Sequence, residues 1–145
     1  MNIGKIMVVE DSELLHRMYD LIFMRYTRNG THIVHSLNGR EALNQLNSHA
    51  DTDIIILDIN MPVMSGLEFL HHCKSENVFR HIPVIIVSTE GKEEDTLRGL
   101  RFGAKGYVTK PFQPQDLYKI MEDIITMTAG ARAKNSKALF ETIPI

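Results

Sequence analysis

Four apolar segments of this sequence end in polar side chains that could do chemistry. Asp58 comes directly after the apolar run 54–57, and Pro62, shortly after it, cannot extend a strand. Carboxylates, a hydroxyl and an amine placed together could bind a divalent cation and phosphate oxygens. The side chains at the other three ends are Glu10 and Asp11, Ser88 and Thr89, and Lys110. Taken singly, each could be a helix cap or a turn residue, so only their convergence would make a site.

Short apolar runs predict the strands that would position these side chains. The strongest runs are continuously apolar, which is typical of strands that are buried on both faces of a parallel sheet. Residues 31–36 alternate instead and predict a weaker, more exposed strand. The predicted strands are residues 6–9, 31–36, 53–58, 83–87 and 106–108.

Apolar residues at helical spacing predict a helix after each strand. Ser12 and Asn38 can cap the first two helices, and Pro114 suits the first position of the last. The helices are predicted to begin after Ser12, at about Arg40, at Ser65, at about Glu93 and at Pro114. The residues predicted to point inward include Leu14, Leu15, Met18, Leu21, Ile22 and Met24 in the first helix, and Leu97 and Leu100 in the fourth.

This alternation predicts the fold class. Five strands, each followed by a helix, form an α/β doubly wound parallel sheet, because crossover connections are right-handed. The flavodoxin-like strand order 2-1-3-4-5 is favoured, since it puts the weak second strand at an edge. We expect one domain over residues 1–129 of the 145-residue chain. Residues 130–145 change to a basic, polar stretch with apolar ends and are predicted to be a flexible tail, with docking of the apolar ends as the alternative.

The predicted strand order brings the polar ends to one place. In this order the ligand crevice opens between strands one and three, where Glu10, Asp11 and Asp58 would converge. Crowded carboxylates repel one another and raise their pKa values, a conflict that Mg²⁺ would relieve. With Lys110 and the Ser88 hydroxyl beside them, these groups are suited to phosphoryl transfer, with Asp58 as the nucleophile.

Composition excludes several classes of function. A net charge of −2 argues against a general nucleic-acid binder. Cys73 is the one cysteine, so the chain has neither an internal disulfide nor a cysteine-based zinc site. No apolar run approaches the roughly 20 residues of a membrane span and the N-terminus does not resemble a signal peptide, so a cytoplasmic location is expected. The histidines are scattered, and we expect them to be solvated surface residues.

The motifs at these strand ends resemble the receiver domain of two-component response regulators, and among them the single-domain, CheY-like members. The resemblance covers about residues 3–127. The matching segments are Val8-Val9-Glu10-Asp11-Ser12, Asp58-Ile59-Asn60-Met61-Pro62 with Ser65-Gly66, Pro83 to Ser88, and Gly103 to Phe112.

The resemblance implies a role for each site residue. Asp58 would accept a phosphoryl group from a histidine of a sensor kinase or a histidine phosphotransfer protein. Asp11 and Asp58 would hold Mg²⁺, or Mn²⁺ in its place, with the backbone carbonyl of Asn60, while Glu10 would act through bound water. Lys110 would pair with the phosphate, and its peptide bond to Pro111 would be cis.

The resemblance also implies a readout. Ser88 would move toward the phosphate and Tyr107 would turn inward, which would change how the face of helix four, strand five and helix five binds a downstream target protein. Slow self-dephosphorylation is expected, and Asn60 and Glu90 would tune the phosphoryl lifetime toward relatively fast turnover for this family. Ser88 stands where Thr is commoner, and it keeps the hydroxyl. Neither direct nucleic-acid binding nor membrane insertion is implied.

Four alternatives bear on this interpretation. The chain could pass its phosphoryl group onward in a phosphorelay, or be a degenerate receiver that only binds proteins, although its complete set of acids, hydroxyl and lysine argues against the latter. An enzyme of the haloacid dehalogenase type needs a second aspartate where Asn60 stands. A flavodoxin-like FMN binder needs a phosphate-binding loop after strand one, where Glu10 and Asp11 would repel the phosphate.

Overall fold

The computed structural model describes residues 3–26, 30–61, 63–76, 79–89 and 91–127. The strands form one five-stranded sheet in which every neighbouring pair is parallel, in the order β2-β1-β3-β4-β5. This confirms the predicted fold class and strand order. The strands are β1 (Lys5–Val9), β2 (His32–Ser36), β3 (Ile54–Asp58), β4 (Val84–Thr89) and β5 (Gly106–Lys110).

Each strand is followed by a helix, as predicted. Both expected caps are present: Ser12 Oγ accepts from the Leu15 amide at 3.3 Å, and Asn38 Oδ1 accepts from the Glu41 amide at 2.8 Å. Ser65, where the third helix was predicted to begin, caps α3 by accepting from the Glu68 amide at 3.2 Å. The helices are α1 (Glu13–Tyr26), α2 (Gly39–Leu46), α3 (Gly66–Ser75), α4 (Glu93–Arg101) and α5 (residues 114–127). None of the helices in the described residues is long and apolar enough to cross a membrane.

The sheet separates two hydrophobic cores, because successive strand side chains point to opposite faces. Along β1, Met7 and Val9 join one core and Ile6 and Val8 the other. The first core contains buried residues of α2 and α3, and the second contains buried residues of α1 and α5. β2 is an edge strand and is more exposed than β1, β3 and β4, as predicted, although the other edge strand, β5, is more exposed still.

The inward face of α1 was predicted wrongly in part. Leu14, Leu21 and Met24 are 74%, 63% and 69% exposed. The helix instead buries Tyr19 and Phe23, whose rings stack 5.9 Å apart in the second core. These aromatic side chains bury more apolar surface than the leucines would, so the helix is rotated toward them.

The inward face of α4 was also predicted wrongly at one position. Leu97 is 55% exposed, whereas Thr96 and Gly99 are buried. A Cβ atom at Gly99 would lie 2.2 Å from Cδ1 of Ile86 on β4. The absence of a side chain at Gly99 therefore brings this face of α4 against the sheet and turns Leu97 outward, while Leu100 packs against the first core as predicted.

Candidate functional site

The carboxyl ends of β1 and β3 bring three acids together. Val9 and Leu57 are register partners, so Glu10 and Asp58, the residues that follow them, lie side by side at the sheet edge. Glu10 is 2% exposed and Asp58 is 7% exposed, while Asp11 is exposed. One carboxylate oxygen from each of the three lies within 4.8 Å of the others. This is the convergence that the predicted strand order implies.

Two of the acids resist ionisation. The pKa of Asp58 is raised, above all because burial disfavours its charged form; the Lys110 charge and the Asn60 amide, which donates to Oδ1 at 3.3 Å, offset part of this. The pKa of Asp11 is raised first by hydrogen bonding with the Glu10 side chain, and then by burial and by the Glu10 charge. The site thus holds more negative charge than its protein partners neutralise.

Lys110 reaches the acids from β5. Its Nζ donates to Glu10 Oε1 at 3.0 Å, and this ion pair is largely buried, with side-chain exposures of 21% and 2%. The Ser12 amide donates to the other Glu10 oxygen at 3.2 Å. The bond between Lys110 and Pro111 is cis, as the resemblance implies. The lysine therefore balances Glu10 directly and acts on Asp58 through its charge.

The two predicted switch residues border one cleft. Ser88 pairs with Thr109 in the sheet and is 3% exposed, at the strand end next to Asp58. Tyr107 lies on β5 and is 49% exposed, so its ring is turned partly to solvent. The cleft is lined by Ser88, Thr89, Glu93, Thr96, Leu97, Tyr107 and Thr109. The cleft thus connects the buried hydroxyl at the acidic site with the outer surface.

A glycine holds the loop after β3 against α3. The Gly66 amide donates to the Ile59 carbonyl at 2.9 Å. A Cβ atom at Gly66 would lie 2.4 Å from the backbone oxygen of Asp58 and 2.6 Å from Cα of Ile59. No side chain fits there without moving the backbone that carries Asp58. Asn60 is exposed on this loop, whereas Glu90, the other predicted tuning residue, and Pro62 lie outside the described residues.

Sequence reasoning missed a histidine beneath the site. His16 is 7% exposed, and its Nε2 donates to the backbone oxygen of Glu10 at 2.6 Å. Its Nδ1 lies 2.6 Å from Nδ1 of His35, whose Nε2 is 2.7 Å from Asp20 Oδ1. The expectation of solvated histidines was therefore wrong for His16. Its spacing from Tyr19 and Phe23, which puts all three on one helical face, was the available signal.

Comparison with known proteins gives the same picture over most of the chain. Residues 6–122 match the response regulator receiver domain family. The chemotaxis protein CheY1 of Helicobacter pylori (strain J99) is 33% identical over 121 residues, covering 83% of this chain and 96% of that protein. The CheY homolog of Campylobacter jejuni (strain 81-176) is 34% identical over 129 residues, covering 89% of this chain and 98% of that protein.

Two further matches are a solved structure of a CheY protein and a longer relative of which this chain covers about half. The crystal structure of chemotaxis protein CheY4 of Vibrio cholerae has a TM-score of 0.74 and 31% identity, covering 84% of this chain and 98% of that chain. The phosphate regulon transcriptional regulatory protein PhoB of Escherichia coli (strain K12) is 40% identical over 113 residues, covering 78% of this chain but 48% of that protein. Because the family match spans most of the chain and the CheY proteins are matched almost end to end, the chain belongs to the response regulator receiver domain family and is of the CheY type.

Proposed function

We propose that this chain is a phosphorylation-activated switch of a two-component system, with Asp58 as the phosphoacceptor. The observation that carries the proposal is the grouping of Glu10, Asp11 and Asp58 within 4.8 Å of one another, with Lys110 bonded to Glu10 at 3.0 Å. A structural acid normally gains a partner on folding, whereas this group keeps surplus negative charge in a largely buried place.

The residues would act in phosphoryl transfer mainly through position and charge. A carboxylate oxygen of Asp58 would attack phosphorus as the bond from phosphorus to the donor histidine nitrogen breaks, leaving an aspartyl phosphate. Lys110 would pair with a phosphoryl oxygen, for which it would have to loosen its contact with Glu10. The partner donating the group would be a sensor histidine kinase or a histidine phosphotransfer protein.

The acidic group also fits a bound Mg²⁺, with Mn²⁺ as a substitute. Hard cations of this size take carboxylate and carbonyl oxygens. Asp58 is buried and its pKa is raised, while Glu10 is buried in an ion pair with Lys110, and Asp11 lies within reach of both. Asp11, Asp58 and the Asn60 carbonyl would hold it, and Glu10 would contribute through bound water. When bound, it would supply positive charge that neutralises the acids and the phosphoryl oxygens.

The output would begin at the cleft between β4, α4 and β5. Ser88 would donate to a phosphoryl oxygen, and Tyr107 would turn from its half-exposed position into the cleft. The outer face formed by α4, β5 and α5, where Leu97 and Tyr107 are exposed, would then bind a downstream target protein. Asn60 and Glu90 would set how quickly the chain removes its own phosphoryl group.

Several expectations of wider scope stay predictions. We expect residues 1–129 to fold as the receiver domain and the chain to be cytoplasmic. The role of residues 130–145, including docking of their apolar ends, concerns a segment outside the described residues. Transfer of the phosphoryl group to a further protein in a relay would use the same Asp58 chemistry.

One experiment tests the phosphoacceptor. The protein is incubated with Mg²⁺ and acetyl phosphate, and its intact mass is measured. We expect a single phosphoryl adduct that is absent in Asp58→Asn and in EDTA. Asp51→Asn is the matched control, because Asp51 pairs with Lys5 at the opposite end of β1 and should leave the adduct unchanged.

The outcomes separate the alternatives. An adduct that persists in Asp58→Asn would place the phosphoryl group elsewhere and overturn the assignment. No adduct, together with no Mg²⁺ binding, would favour a degenerate receiver that only binds proteins. An adduct with a half-life of many hours in Mg²⁺ would contradict the expected self-dephosphorylation.

A further inference from the structure

Two buried hydroxyl groups meet between the acidic site and α4. Ser88 is 3% exposed and Thr96 is 5% exposed. Their Oγ and Oγ1 atoms are 3.0 Å apart, and Thr96 Oγ1 is also 3.0 Å from the backbone oxygen of Lys92. Within the part of the chain that the structure describes, Thr96 is the hydrogen-bond partner of the Ser88 hydroxyl.

Counting hydrogens assigns the direction of this bond. A hydroxyl group carries one hydrogen, and the Lys92 carbonyl can only accept. Both contacts are satisfied together only if Thr96 donates to Lys92 and Ser88 donates to Thr96. The hydrogen of Ser88 is then directed toward α4 and away from the carboxylate of Asp58.

We propose that Thr96 is a positioning residue that holds the Ser88 hydroxyl in the resting state and so sets how readily the switch turns on. The inference rests on the proposed function, in which Ser88 donates to a phosphoryl oxygen on Asp58. One hydrogen cannot serve both acceptors. Activation must therefore break the bond to Thr96 and leave the Thr96 oxygen without its donor in a nearly buried place, which favours the resting state.

The packing of α4 indicates that this hydroxyl is not needed to dock the helix. Gly99 already brings α4 into close contact with Ile86, and the Lys92 carbonyl also receives the Thr96 amide at 3.0 Å. Thr96 lines the same cleft as Ser88 and Tyr107, so it faces the moving parts of the switch. Valine has nearly the shape of threonine and would keep the packing while removing the acceptor.

The test measures binding of beryllofluoride, a phosphoryl mimic, in the presence of Mg²⁺ by isothermal titration calorimetry. A net hydrogen bond changes an equilibrium by about two- to tenfold, so Thr96→Val should bind beryllofluoride tighter by that factor. Thr96→Ser keeps the hydroxyl and should bind as the unchanged protein does. The matched control is Thr52→Val, because Thr52 is 5% exposed and donates to the His49 carbonyl at 2.6 Å, away from the site; its affinity should not change.

Each outcome decides the inference. Equal or weaker binding by Thr96→Val, with normal binding by the unchanged protein, overturns the role of Thr96 and leaves the proposed function standing. If valine disturbs the fold, as circular dichroism would show, Thr96→Ala also lacks the hydroxyl and must show the same tightening. A similar gain in Thr96→Ser would indicate altered packing and overturn the inference. Absence of beryllofluoride binding in the unchanged protein overturns the proposed function, and the inference with it.

Discussion

Aspartate and lysine residues lie at both ends of the β-sheet, but the pKa of Asp51 at one end shifts in the opposite direction to the pKa values of Asp58 and Asp11 at the other. At the amino end, Asp53 Oδ2 accepts from the amides of Gly4 and Lys5 at 2.8 and 3.0 Å, and Asp51 pairs with Lys5 Nζ at 2.8 Å. That pairing lowers the pKa of Asp51. At the carboxyl end, the pKa values of Asp58 and Asp11 are raised.

The difference separates acids that support the fold from acids that are available for chemistry. At the amino end each of these two carboxylates gains hydrogen-bond donors on folding, and the lowered pKa of Asp51 means that its charge stabilises the folded chain. At the carboxyl end Lys110 contacts Glu10, while the pKa values of Asp58 and Asp11 are raised, so ionisation of these two aspartates opposes folding. Such opposed behaviour of one residue type is a physical signature of a functional site.

The largest effect is expected when Lys110, the basic residue that pairs with Glu10 at the carboxyl end, is removed. Lys110→Met would leave Glu10, which is 2% exposed, as a buried charge without its cation, and should lower the free energy of unfolding by roughly 3 kcal/mol. Lys5→Met should cost much less, because its partner Asp51 has a side chain that is 73% exposed. Urea unfolding of both variants measures the contrast, and equal losses would contradict it.

Adding the cation should have the next largest effect. Mg²⁺ at a hundred times its dissociation constant would stabilise the folded protein by about 2.7 kcal/mol, because binding favours the folded state. Asp58→Asn removes one of the charges that would hold the ion and should lose most of this gain, whereas Asp53→Asn should keep it. Thermal unfolding with and without Mg²⁺ provides the readout. A gain shared equally by all three proteins would point to binding elsewhere.

Neutralising one acid at each end should change stability in opposite directions. Without metal, Asp58→Asn should raise the free energy of unfolding by about 1 kcal/mol, since it removes a charge from a crowded, buried site. Asp53→Ala should lower it by about 1 kcal/mol, because the Gly4 and Lys5 amides lose their acceptor. Urea unfolding in EDTA tests both, and the same sign for the two variants would remove the proposed distinction.

The smallest effect is expected in the pH dependence of the metal-free protein. Because the folded-state pKa of Asp58 is above the ordinary 3.8, the folded protein binds more protons than the unfolded chain just above pH 3.8, so this group makes stability fall as pH rises there. Asp51 has a lowered pKa, so its contribution is present above pH 3.8 and is lost as pH falls through the folded value. Urea unfolding between pH 3 and 7 measures this. The decrease in the free energy of unfolding with rising pH should be weaker in Asp58→Asn and unchanged in Asp51→Asn.

The pattern of apolar residues along the sequence was sufficient to predict the fold and to predict which acids meet at the site. Continuous apolar runs such as residues 54–57 marked buried parallel strands, and the weaker second strand, which suits an edge, favoured the order 2-1-3-4-5. Once the order was known, the positions of Glu10, Asp11 and Asp58 followed, because parallel strands end at a common edge. The strand ends therefore predicted the site without any knowledge of side-chain contacts.

The sequence pattern could not predict which face of a helix is turned toward the core. The leucines at positions 14, 21 and 97 fit a helical stripe as well as the buried residues do, yet they are exposed. Which stripe turns inward depends on the partners across the interface, such as the stacked rings of Tyr19 and Phe23 or the contact of Gly99 with Ile86. For the same reason, no pattern indicated that His16 would bond to Glu10 or that Thr96 would bond to Ser88.

The sequence by itself determined the α/β class, the strand order, the family and the set of acids, hydroxyl and lysine at the strand ends, because these depend on periodicity and on position along the chain. The tertiary structure alone decided which groups neutralise one another. Lys110 bonds to Glu10, Ser88 bonds to Thr96, and Asp58 is left buried with a raised pKa. Those contacts depend on how separate elements pack to within a few ångströms of one another, whether the two residues are 100 positions apart, as Lys110 and Glu10 are, or eight, as Ser88 and Thr96 are. Spacing along the chain does not encode that packing.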